Sequence, residues 1–124
     1  MLHILLITTR RDSIGSFIEG LSSDPEVHLE LISAGAEAQS LVRTRCPHLV
    51  IVDSTAEDLD SFDLVRRIIG VNAMVNTAVA SALSDEDFHD RGEGLGILCR
   101  LPPEPGRNDS KALLQKLRDL TGIG

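Results

Sequence analysis

The chain has almost no aromatic residues: three Phe and neither Trp nor Tyr among 124 residues. That excludes the stacked aromatic platforms that bind single-stranded nucleic acid and RNA, and it makes any core aliphatic. Positive charge is also in short supply, with 12 Lys and Arg against 19 Asp and Glu and a net charge of −7. Such a field repels phosphate backbones, so no direct nucleic-acid partner is expected. No apolar run approaches the roughly 20 residues needed to span a bilayer. Met1 to Ile7 is too short for a signal peptide, and Thr8-Thr9-Arg10-Arg11 follows it where small residues would mark a cleavage site. The two cysteines, Cys46 and Cys99, form no CxxC pair and read as reduced thiols. His3, His28, His48 and His89 are scattered over different segments without ligand spacing, so no metal site is expected. These absences leave a soluble cytoplasmic domain with no membrane association.

What is present is ordinary for one globular domain: 42% apolar and 25% charged residues, in a length typical of a single unit, 1–124. Short apolar runs alternate with helical periods. Leu2 to Thr8 is a first strand, and Ile14, Phe17, Ile18 and Leu21 recur at helical spacing with Asp12 or Ser13 available as N-cap. Val27 to Ile32 alternates as an edge strand, and Ala36 to Arg45 is a helix closed before Pro47. Pro47-His48-Leu49-Val50-Ile51-Val52-Asp53 is continuously apolar until its last residue, the pattern of a strand buried on both faces. An acidic turn with Glu57, Asp58 and Asp60 leads to a helix through Phe62, Val65, Ile68 and Ile69. Thr77 to Ala82 is a small-residue strand, Ser84 caps a short helix ending at Gly92, and Gly96 to Leu101 is a fifth strand with Cys99 as a buried small hydrophobe. After the rigid Pro102-Pro103-Glu104-Pro105-Gly106, Ser110 to Leu120 is an amphipathic helix with Leu113, Leu114, Leu117 and Leu120 inward. Strict alternation of strand and helix predicts an α/β fold, a doubly wound five-stranded parallel sheet with helices on both faces.

In such sheets ligands and chemistry gather at the carboxyl ends of the strands, where Asp53 lies. Its carboxylate has two readings: a reacting group, or a loop cap paired with Arg10 or Arg11. Ser81 ends the next strand and reads as a turn hydroxyl or a working one. Thr8, Thr9, Ser13, Gly15 and Ser16 suggest a phosphate loop of the flavodoxin-like, FMN-binding kind, but Arg10, Arg11 and Asp12 interrupt it and no Trp or Tyr is available to stack on a flavin.

Over nearly its whole length the chain resembles the receiver domain of bacterial response regulators. The likeness is carried by Pro47 to Asp53, by Asp60-Ser61-Phe62-Asp63-Leu64-Val65-Arg66-Arg67-Ile68, by Ala80-Ser81-Ala82-Leu83-Ser84-Asp85-Glu86-Asp87, and by Gly94-Leu95-Gly96-Ile97-Leu98-Cys99-Arg100-Leu101-Pro102. The resemblance implies a flavodoxin-like fold with strand order 2-1-3-4-5, Asp53 as candidate phosphoacceptor, Ser81 as candidate switch hydroxyl and a cis bond before Pro102. It also implies partners for a receiver: a histidine kinase, an output domain or a second copy in a homodimer. The departures fall on the chemistry. Thr8 and Thr9 stand where the family has two magnesium-binding acids, Leu101 where it has a lysine, and Leu98 at its aromatic switch position. Glu57 and Ser61 replace the Pro and Gly of the loop after the phosphoacceptor. Magnesium prefers carboxylates and water, so its binding is expected to be weak or absent and no cofactor is expected. The resulting expectation is a degenerate receiver, not an enzyme, working in signal transduction through protein contact without efficient phosphorylation. A receiver still phosphorylated at Asp53 in a phosphorelay is the alternative, and an FMN binder a distant one.

Overall fold

In the computed structural model, which describes residues 1–53 and 61–122, strands and helices alternate along the chain. They are β1 (Leu2–Ile7), α1 (Gly15–Ser22), β2 (Val27–Ile32), α2 (Gly35–Arg45), β3 (Leu49–Asp53), α3 (Ser61–Val71), β4 (Asn76–Ala80), α4 (Asp85–Gly92), β5 (Cys99–Leu101) and α5 (Arg107–Thr121). The strands form one sheet in the order β2-β1-β3-β4-β5, and every neighbouring pair is parallel. This is the predicted doubly wound, flavodoxin-like sheet.

Side chains alternate across a strand, so each central strand serves two cores. Leu2, Ile4 and Leu6 of β1, with Leu49 and Ile51 of β3, meet Phe17 and Leu21 of α1 and Leu113, Leu114 and Leu117 of α5. Leu5, Ile7, Val50 and Val52 face the other way, onto Ala38 and Val42 of α2 and Leu64, Val65 and Ile68 of α3. All five residues of β3 are buried, which explains why that segment is unbroken by polar residues until Asp53. At the edge, β2 is mostly half-buried, as its alternating pattern predicts.

Several boundaries differ from expectation. Helix α1 is preceded by Ile14 with no side-chain cap, so neither Asp12 nor Ser13 serves. Gly94 and Gly96 take positive φ, +80° and +64°. These left-handed turns delay β5 until Cys99, which is half-buried where full burial was expected. Helix α5 opens three residues early because the Asp109 carboxylate accepts the Gly106 N–H at 2.8 Å, a ready-made N-terminal cap. Leu120 is 58% exposed, not inward. Cys46 ends α2 in the left-handed region at φ 46°, just before Pro47 redirects the chain into β3.

Candidate functional site

Strand β3 delivers Asp53 to the carboxyl edge of the sheet between β1 and β4. Its carboxylate is 1% exposed, so its charge must be met by partners inside the protein. The first comes from the residue after β1: the Thr8 hydroxyl donates to Asp53 Oδ2 at 2.8 Å. The same hydroxyl oxygen accepts the Arg10 backbone N–H at 3.1 Å. That small turn brings Arg10 back over the strand ends.

Arg10 then grips the carboxylate with two donors. Nε donates to Oδ2 at 2.7 Å and Nη2 to Oδ1 at 3.1 Å, the bidentate fork that only a planar guanidinium supplies. The remaining donors reach the loop between β5 and α5. Nη1 donates to Glu104 Oε1 at 2.7 Å, and Nη2 also donates to the Pro103 carbonyl. Its hydrogen bonds to Asp53 hold the guanidinium pKa above its ordinary value, against the opposing effect of burial. A single cation therefore ties the β1–α1 loop, the end of β3 and the β5–α5 loop together. Of the two arginines open as partners, Arg10 is the one engaged, while Arg11 is exposed.

The other predicted positions are distributed around this clamp. Ser81 is buried, its N–H bonds to the Leu101 carbonyl at 3.1 Å, and its Oγ accepts the Leu83 N–H at 3.1 Å. Its oxygen thus closes a local turn. Leu101 is buried in the α1/α5 core and Leu98 packs half-buried against it. Thr9 is exposed. The Leu101–Pro102 bond is trans, contrary to the predicted cis form. Trans is the lower-energy form of an X–Pro bond by about 0.5–1 kcal/mol, and the surroundings satisfy it. Leu101 is anchored in the core, and the Pro103 carbonyl is held by Arg10. Glu57, Asp58 and Asp60 lie outside the described residues.

No protein-family model matches the sequence, and no curated protein matches it. Solved structures do. A receiver domain protein (CheY-like) from Methanospirillum hungatei superposes with a TM-score of 0.82 at 12% identity, covering 100% of this chain and 99% of its own. The non-phosphorylated HemR receiver domain from Leptospira biflexa gives 0.78 at 24% identity, with 98% and 97% covered. The signal receiver domain of the response regulator NarL from Mycobacterium tuberculosis gives 0.78 at 15%, with 94% and 96% covered. The chain has the receiver fold.

Thr8 and Thr9 carry no charge, and both Asp53 oxygens accept from Arg10. Among the described residues no three His, Cys, Asp or Glu side chains are gathered so as to hold a metal ion. Reading the sequence identified Asp53, Thr8 and the arginines, but not the roles of Pro103 and Glu104. The Pro-rich loop announces rigidity, and nothing in its spacing shows that it folds back onto the first strand's loop.

Proposed function

We propose that the chain is a degenerate receiver domain, held in one state by an internal arginine–aspartate pair and acting through protein–protein contact. The observation that carries this reading is the double engagement of the Asp53 carboxylate by Arg10. An aspartate that attacks phosphorus needs a lone pair directed at the incoming group and a cation to offset the charge that accumulates there. Here the cation is part of the chain and already neutralises the aspartate itself. Phosphorylation would have to break a buried bidentate pair before bond formation could begin. The domain on this reading is a cytoplasmic signalling module, not an enzyme. Its partner is a protein: a kinase, an output domain or another copy. The fixed β5–α5 loop sets the geometry the partner meets.

The test is exposure of the purified protein to magnesium and a small-molecule phosphodonor, followed by intact-mass measurement. The expected result is no phosphoryl adduct under conditions that fully modify an ordinary receiver. An adduct that disappears in Asp53→Asn would instead establish a receiver switched by phosphorylation. The FMN alternative has its own readout: a yellow protein, or one stabilised by FMN, would support it.

A further inference from the structure

Three of the four histidines, dispersed at positions 3, 28 and 48, are assembled by the fold into a row. His3 and His28 are register partners on β1 and β2, with ring centroids 5.4 Å apart. His48, which enters β3, stacks on His3 with centroids 5.9 Å apart and planes 17° from parallel. The row lies at the amino end of the sheet, opposite Asp53, and its chemistry is independent of the receiver reading.

We propose that this row is a pH-sensitive latch: neutral His48 fastens the amino end of β1 to the segment entering β3, and protonation releases it. The backbone N–H of His48 donates to the His3 carbonyl at 2.8 Å. In return the His3 N–H donates to the His48 ring nitrogen Nδ1 at 3.0 Å. An imidazole thus takes the place of a carbonyl in the first rung between the two strands. Nδ1 can accept only while it carries a lone pair, so the ring proton resides on Nε2. A proton added at Nδ1 would face another N–H across the same 3.0 Å contact, and the rung would open.

The surroundings reinforce this. Burial, then the neighbouring His3 and the amino terminus, hold the His48 pKa below its ordinary value of 6.5. The carboxylates beside His28 in the chain give no relief: Glu30 is paired with Arg45 of α2 at 2.6 Å, and Glu26 is exposed. The last turn of α2 adds only cations, Arg43 and Arg45. From the start of β4 comes a neutral group, the Asn76 amide, which donates to the His48 carbonyl at 3.2 Å. Because the folded pKa is depressed, the native state takes up fewer protons than the unfolded chain as pH falls. The stability held by neutral His48 is complete above the unfolded value and is lost as pH falls through the folded one. Each unit of depression multiplies the unfolding constant about tenfold across that window.

Heteronuclear NMR of the whole chain between about pH 8 and about pH 5 tests the latch. His48 should titrate with a midpoint below 6.5. The His3 amide resonance should follow that midpoint, and its pH-corrected exchange protection should be lost with it. His48→Asn presents an amide oxygen near the Nδ1 position and cannot titrate, so it should keep the His3 amide protected throughout. A His48 midpoint at or above 6.5, a His3 amide indifferent to pH, or a pH step retained in His48→Asn would each overturn the proposal. If that variant does not fold, the wild-type titration alone decides.

Discussion

Replacing Arg10 by Ala removes the two guanidinium bonds from a carboxylate that is 1% exposed. Breaking a buried ion pair by deleting one partner costs about 3–5 kcal/mol. Here 18% of the Arg10 side chain remains in water, and Thr8 continues to donate to Asp53, so a loss of about 2–3 kcal/mol is expected. With a urea m-value of about 2 kcal/mol/M, the unfolding midpoint should fall by about 1–1.5 M. Arg10→Lys should recover only part of this, because an ammonium cannot make the planar fork. Glu104→Gln should cost less than about 1 kcal/mol, since its carboxylate is mostly exposed. Urea denaturation of Arg10→Ala, Asp53→Ala and the double variant closes a cycle whose coupling energy should exceed about 1 kcal/mol, with the double variant losing less than the sum. A midpoint shift below about 0.25 M for Arg10→Ala, or a coupling within about 0.5 kcal/mol of zero, would refute the clamp.

Two further outcomes concern helix α5. A Cβ added at Gly20 would lie 1.9 Å from Ser110 Oγ, so Gly20→Ala should push α1 from α5 and destabilise the protein by about 1–3 kcal/mol; a second change, Ser110→Ala, should restore part of that loss in thermal unfolding. The Arg118 side chain donates to Asp24 Oδ2 at 2.5 Å, and this bond, followed by the Glu26 N–H, holds the Asp24 pKa below 3.8. A depressed carboxylate contributes fully above its unfolded pKa and loses that contribution as pH falls through the folded value. Asp24→Asn should therefore be less stable than wild type near neutrality, and the gap should close in acid below pH 3.8; a gap independent of pH would contradict the linkage.

The fold was legible because its determinants are local. The unbroken apolar run of β3, the alternation of β2 and the helical spacing of Phe17 and Leu21 each dictate one element and its buried face. Strict strand–helix alternation then restricts how those elements assemble. The place of Asp53 was legible for the same reason, as a single carboxylate ending a doubly buried strand. The clamp was only half legible: arginines beside Thr8 and Thr9 suggested a partner for Asp53. The choice of Arg10 over Arg11 depends on the turn made by the Thr8 hydroxyl. The contacts with Pro103 and Glu104 join segments more than 90 residues apart in the chain, a distance over which pattern carries no information. The histidine row failed to appear for a related reason. Its order in space is β2, β1, β3, and only the strand register sets His3 beside His28. Pro102 shows the opposite failure, a local feature carried over from a resemblance although the lysine that accompanies it is gone.

The sheet is fastened at both of its ends. At the carboxyl edge a bidentate arginine–aspartate pair joins two loops to the end of β3. At the amino edge a neutral imidazole completes a backbone rung and would lose it on protonation. The two can be perturbed separately, since Asp53 ends β3 and His48 immediately precedes it.

The proposed function stands most directly on whether Asp53 can accept a phosphoryl-like group. The measurement is a two-dimensional amide NMR titration with magnesium and beryllofluoride, on wild type and on Asp53→Asn. With Arg10 on the carboxylate, the amides of Thr8, Asp53, Ser81 and Leu83 should stay in place in wild type as they do in the variant. Saturable movement of those amides in wild type alone would show that the site opens to a phosphoryl mimic and would contradict the locked receiver.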